Sequence, residues 1–197
     1  MQPDDPRRHY WERWTAGDGR WRNEEPPGDE LAALRGGVGR EAGSVPSMWP
    51  YYTTLNADGR VSAALNAEHV ALSLFAVHQQ SKRLPVHRRE TGLGSALYRL
   101  RSSEKFSQEA VDRRFAAAAT ATSFAEISAH LRGLITQLRT VSDLGLDYSK
   151  LFRDLVAWQN PERVSMVRRQ WGSQYFTAVG RRDGSGRDQT IETEEMA

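Results

Sequence analysis

An all-α fold, a compact bundle of roughly eight helices, is predicted by three features of this 197-residue chain. No run of alternating Val, Ile, Thr and aromatic residues reaches five positions with turn residues at both ends, so strand signals are nearly absent. Apolar residues recur instead three and four positions apart, most clearly at Phe124, Ile127, Leu131, Leu134 and Leu138. Start and stop residues frame most of these segments at helical lengths.

Residues 1–28 read as a variable N-terminal segment. It holds a short helical stretch in RRHYWERW and a loop, AGDGRWRNEEPPGD, marked by Gly, Pro and acids. The helical body spans residues 29–182. Asp29 is a candidate N-cap for ELAALRGG, which Gly36 and Gly37 terminate. The stretch 37–59 is irregular because Pro46 and Pro50 stop helix continuation, and Met48, Trp49, Tyr51 and Tyr52 are available to anchor it on a core. VSAALNAEHVALSLFAVHQQ is apolar around most of its circumference and is expected to be the central buried helix.

A basic loop, SKRLPVHRRETG, and a short helix, LGSALYRLRSS, follow. Ser107 caps SQEAVDRRFAAAATAT, which places Val111, Phe115 and Ala118 on one stripe. Ser123 and Glu126 form a capping box before FAEISAHLRGLITQLR. Asp147 caps YSKLFRDLVAW, and Asn160 caps the last helix, with Pro161 at its first position, where a missing N–H costs nothing. Residues 183–197, DGSGRDQTIETEEMA, read as a disordered acidic tail.

The formal net charge of +2 hides a strong asymmetry. Residues 1–30 carry 5 basic and 8 acidic groups, residues 183–197 carry 1 and 5, and residues 31–182 carry 21 and 12. A body at +9 between acidic ends attracts polyanions, of which nucleic acid is the commonest in a cell. Of the 27 basic residues 24 are Arg, which suits bidentate phosphate pairing, although a GC-rich genome produces the same excess. The absence of cysteine excludes disulfides and thiolate metal sites and points to a reducing compartment. With no apolar run of membrane-spanning length and no signal-peptide core, the expected location is cytoplasmic, away from the membrane.

On the last helix, 100° per residue puts Val164, Val167, Trp171, Tyr175 and Ala178 on one stripe about 80° wide. Arg163 and Arg168 flank it on opposite borders, and Arg169 points outward. Arg132 and Arg139 share a flank of the preceding long helix, about 10 Å apart along its axis, with no carboxylate four residues away inside that helix. These arginines are available for an external anion. The competing arrangement is a distant acid, such as Asp143 or Asp154, meeting them in the folded bundle.

Catalytic patterns are absent. The histidines, His9, His69, His78, His87 and His130, form no HExxH motif; His69 and His78, read as sharing one face of an apolar helix, could hold a metal with Glu68, but buried, hydrogen-bonded histidines are the stronger reading, and no metal or cofactor is expected. LRGGVGRE lacks the Lys and Ser/Thr of a P-loop and follows no strand. TGLGSALYRL offers a weak Gly-x-Gly signal at a helix start, with N–H groups that could face a phosphate.

Four strings, LAALRGGVGREAGSVPSMWPYY, GLGSALYRL, VDRRFAAAATATSFAEISAHLRGLITQLR and LDYSKLFRDLVAWQNPERVSMVRRQWGSQYF, carry a likeness over residues 31–179. In order and spacing they resemble the CasB family, the small subunit of the type I-E CRISPR Cascade surveillance complex. The resemblance implies an all-helical, non-enzymatic subunit, present as two copies along an RNA-guided complex beside other Cascade subunits. It implies a basic face that binds nucleic acid and holds target DNA opened against the guide RNA. Arg35, Arg113, Arg114, Arg132, Arg163 and Arg168 carry over as phosphate contacts, while Gly36 stands where members often have a second basic residue. Charge and position add Arg40, Arg88, Arg89, Arg139 and Arg169 to the candidates. The rival readings are a protein–protein scaffold with a basic docking face and a stand-alone helix-turn-helix regulator built from SKLFRDLVAWQNPERVSMVRRQW.

Overall fold

The computed structural model describes residues 8–185. Its elements are α1 (Tyr10–Trp14), α2 (Gly28–Arg35), a 3-10 turn (Pro46–Tyr51), α3 (Ala63–Gln79), α4 (Leu93–Arg101), α5 (Gln108–Thr120), α6 (Phe124–Thr140), α7 (Tyr148–Trp158) and α8 (Val164–Ser185). Among the described residues, extended pairing is limited to isolated bridges such as His87 to Leu146.

The apolar circumference of α3 makes it the hub. Leu65, Ala67, Ala71, Leu72, Leu74, Phe75 and Ala76 are all buried, and α2, α6 and α7 pack around it. The second layer is α4 against α8 with α5 alongside; Trp158 of α7 stacks on Trp171 of α8 at 5.2 Å, and Phe115 of α5 on Tyr175 at 4.3 Å. The close approach of α4 to α8 depends on Gly94, where a β-carbon would come within 3.0 Å of the Trp171 carbonyl oxygen and the Tyr175 amide nitrogen. The Gly-x-Gly signal at the start of α4 therefore serves helix packing, and both of its glycines are buried under α8.

Three predicted caps form. The Ser107, Ser123 and Asp147 side chains accept the N–H groups of Ala110, Glu126 and Lys150. The Glu126 carboxylate reaches back as a capping box does, landing on the Thr122 N–H at 2.7 Å. Two caps differ. Asp29 lies inside the first turn of α2, where it complements the helix dipole, because Pro27 takes the N-cap position and its carbonyl receives the Leu31 N–H. Asn160 accepts the Glu162 N–H at 2.9 Å as an Asx turn, and regular helix begins only at Val164.

The aromatic N-terminal segment belongs to the core. Trp11 is fully buried and donates its indole N–H to Ser149 Oγ at 2.8 Å, while the Tyr10 hydroxyl donates to Glu30 at 2.7 Å. Of the expected anchors in 37–59, Met48 and Tyr52 are buried, whereas Trp49 is half exposed and donates to the Gly43 carbonyl. Helix α8 runs to Ser185, three residues into the expected tail; residues 186–197 lie outside the described residues.

His69 and His78 are both buried, and nine residues amount to two and a half turns, so the rings leave α3 in opposite directions. His69 Nε2 donates to the Gly37 carbonyl at 2.8 Å, which leaves Nδ1 to accept from the Tyr52 hydroxyl at 2.6 Å. His78 Nδ1 meets the Tyr148 hydroxyl at 2.9 Å, and burial pushes its pKa down to about 3. Glu68 accepts from the N–H and hydroxyl groups of Thr53 and Thr54 and from His9. Among the described residues, no cluster of three or more His, Asp or Glu could hold a metal ion, and no helix is long and apolar enough to cross a membrane.

Candidate nucleic-acid interface

The candidate arginines divide into two sets. Arg40, Arg113, Arg114, Arg132, Arg163 and Arg169 are exposed and Arg35 is half-buried; none of the seven has a side-chain hydrogen bond or ion pair within the described chain. Their outward setting follows from helical spacing: Val111, Phe115 and Ala118 turn α5 inward, leaving Arg113 and Arg114 in solvent, and Leu131 and Leu134 do the same for Arg132 on α6. Of the two acids expected as distant partners, Asp154 accepts the Trp171 indole N–H at 2.7 Å and faces Lys150, and Asp143 lies close enough to Lys82 to favour its charge. Asp112, which the sequence did not single out, pairs with Arg101 at 2.8 Å while accepting the Tyr175 hydroxyl.

The second set serves the fold. Arg168 donates to the Ala121 carbonyl at 2.6 Å and lies over the Trp158 ring, 4.9 Å from its centre, tying α8 to the end of α5 and to α7. Arg88 donates to the Asp18 carbonyl at 2.9 Å and lies against Gly19 and Gly145, and Arg139 donates to Gln80. Arg89 is intermediate between the sets: its stem packs on Gly17, but it is exposed and has no side-chain hydrogen bond or ion pair among the described residues. Helix position set Arg168 at the border of the core stripe and Arg169 outside it, but it could not show what holds Arg168, because the carbonyl and the ring come from residues 47 and 10 positions away.

The fold brings Arg40 and Arg132 together. A groove of about 530 Å³ opens between α3, α6 and the loop after α2, and both arginines line it with Phe124, Val70, Ser73 and Ala129. Arg35 lines a different hollow with Trp21, Leu31 and Lys82. Arg113 and Arg114 stand on α5, Arg163 and Arg169 on or beside α8. Sequence reasoning missed the groove itself, since Phe124 and Ser73 sit at positions indistinguishable from core. It also missed Phe176, 63% exposed, which shares the outer face of α8 with Arg169 and the 48% exposed Met166.

Unpaired guanidinium groups of this kind can bind phosphates or carboxylates. The family described as CRISPR-associated protein Cse2 matches residues 30–176. Nothing among curated proteins matches the chain. Among solved structures, CasB from Thermobifida fusca is 29% identical with a TM-score of 0.60, over 75% of this chain and 84% of that one. CasB of M. ruber has the same fold at 21% identity and a TM-score of 0.66, over 83% and 91%. A chain of a CRISPR RNA-guided surveillance complex also shares it, at 24% identity and a TM-score of 0.62, over 82% and 88%. The helical bundle and the family match over most of the chain agree: this protein belongs to the Cse2 (CasB) family, the non-catalytic small subunits of the type I-E CRISPR Cascade surveillance complex.

Proposed function

We propose that this subunit holds the phosphate backbone of target DNA opened against a guide RNA, stabilising the R-loop in antiviral defence in the cytoplasm. Its partners in this reading are the other Cascade subunits, guide RNA, target DNA and a second copy of itself. The observation that carries the reading is the set of arginines without internal partners on a body of net charge +9. Exchanging a DNA duplex for an RNA–DNA duplex is nearly neutral in energy, so sequence-independent backbone contacts can tip it. No base-reading group is required.

The test is a triple substitution, Arg113→Glu, Arg132→Glu and Arg169→Glu, all on exposed positions. Melting temperature and incorporation into the complex should be preserved. Target-DNA opening should fall, and the slope of log K against log salt for single-stranded DNA should flatten by about 2 if three phosphate contacts of roughly 0.7 each are lost. Unchanged DNA binding with expulsion from the complex would overturn the reading. That outcome belongs to the scaffold alternative, which one observation favours: Met166 and Phe176 flank Arg169 on an exposed face of α8. The family match over residues 30–176, which includes both helices of the regulator motif, supports the subunit reading over a stand-alone regulator.

A further inference from the structure

The groove shared by Arg40 and Arg132 has the construction of a ligand site. Its space exists because α6 presents Ala125, Ser128 and Ala129 toward α3, where larger side chains would have closed the cleft. Its volume, about 530 Å³, is in the range of small-molecule sites. The wall is apolar at Val38, Val70, Leu74 and the half-buried ring of Phe124, surfaces that suit the faces of a planar ring.

At the α3 side of the groove lies Ser73. It is 3% exposed, and its hydroxyl has no hydrogen-bond partner within the protein. A buried helical serine ordinarily donates to the carbonyl four residues earlier, so a hydroxyl left unpaired against a groove is available to a ligand. His69 beside it already uses both ring nitrogens, and burial lowers its pKa, so it adds no positive charge. The cationic groups of the lining are Arg40 and Arg132, both exposed and unpaired; Glu41, exposed on the same loop, opposes them in sign.

We propose that this groove receives the base of an unpaired nucleotide, with the adjoining phosphate held by Arg132 and Arg40 and the base edge hydrogen-bonded to Ser73. The proposal rests on the phosphate-binding reading above and adds base insertion to it. A nucleotide matches the three features at once: an apolar slot for a flat ring, a buried polar atom for its edge, and guanidinium groups for its phosphate. An acidic protein segment would satisfy the arginines alone. The ligand class is therefore a single strand; a paired duplex hides its bases.

The test compares full-length protein binding to a fluorescent single-stranded DNA and to the same oligonucleotide made entirely of abasic units, which keeps the phosphates and removes the bases. The wild type should bind the abasic strand about tenfold more weakly, the scale of one lost stacking contact. Ala129→Trp, on the exposed groove wall, should bring the two strands to equal affinity without altering the salt slope. Arg132→Glu should flatten the slope for both strands. Equal affinity of the wild type for the two strands would overturn base insertion while leaving phosphate binding intact. Salt-independent binding of both strands would overturn the phosphate reading itself. If Ala129→Trp kept the wild-type preference for the normal strand but removed the subunit from the complex, the groove would be a protein-docking site and the proposal would be wrong. The wild-type comparison needs no variant and stands even if Ala129→Trp folds poorly.

Discussion

Replacing Arg168 by Ala should cost stability where replacing Arg132 by Ala should not, although helix position alone makes both look like surface cations. Arg168 makes a charge-assisted hydrogen bond to the Ala121 carbonyl, where α5 ends, and lies over the Trp158 ring. A hydrogen bond from a charged donor contributes roughly 1.5–3 kcal/mol. A cation–π contact away from bulk water adds about 1 kcal/mol. The two share one side chain and do not simply add, and the Arg168 Nε is buried without a partner, which offsets part of the gain. A net loss of about 2–3 kcal/mol follows, and at roughly 2–4 °C per kcal/mol for a chain of this size the melting temperature should fall by about 5–10 °C. Arg132→Ala should change it by less than about 2 °C, since the exposed guanidinium has no partner to lose. Arg168→Lys sharpens the comparison. Lysine keeps the charge but not the planar fork, so nucleic-acid affinity should hold while part of the stability is lost. Thermal melts by circular dichroism, alongside salt titrations of DNA binding, give both readouts. If Arg168→Ala melted like the wild type and bound DNA more weakly, the distinction between fold-holding and ligand-holding arginines would fail.

Two further outcomes test the core. Gly94→Val should force α4 and α8 apart, because even a β-carbon there meets the Trp171 carbonyl; a loss of about 1–3 kcal/mol in urea denaturation is expected, and an unchanged midpoint would contradict the packing. Acid should destabilise the protein in two stages. His78, held neutral by burial with a pKa near 3, protonates more readily when unfolded, so stability is present above about pH 6.5 and is lost as pH falls from there toward 3. For Glu68, burial pushes the pKa up, but the hydrogen bonds from His9, Thr53 and Thr54 together outweigh it and leave the carboxyl below its ordinary range. Its stabilisation is therefore full above the unfolded carboxyl value near 4.5 and is lost below it. In urea midpoints measured against pH, His78→Phe should shrink the first stage, which the buried His69 and His87 share, and leave the second; Glu68→Gln should shrink the second and leave the first.

The all-helical architecture was legible in the sequence because it rests on local physics. The three-and-four spacing from Phe124 to Leu138, the all-round apolarity of α3 and the caps at Ser107, Ser123 and Asp147 are each decided by residues within a few positions of one another. The family likeness was legible for the same reason, being carried by linear strings. What depended on distant contacts was not. Asn160 has the composition of a cap, yet the chain turns through Pro161–Arg163 before the helix begins, and Asp29 loses the cap position to Pro27. The N-terminal aromatics carried no local sign that Trp11 would reach Ser149, 138 residues away, and become part of the core. The same holds for the interface. Sequence determined that a cationic body exists, since charge is a sum over residues. Only the tertiary structure decided which cations remain unpaired, because the partners of Arg168, Arg88 and Arg139 come from separate elements, and only it placed Arg40 and Arg132, 92 residues apart, on one groove beside the unpartnered hydroxyl of Ser73.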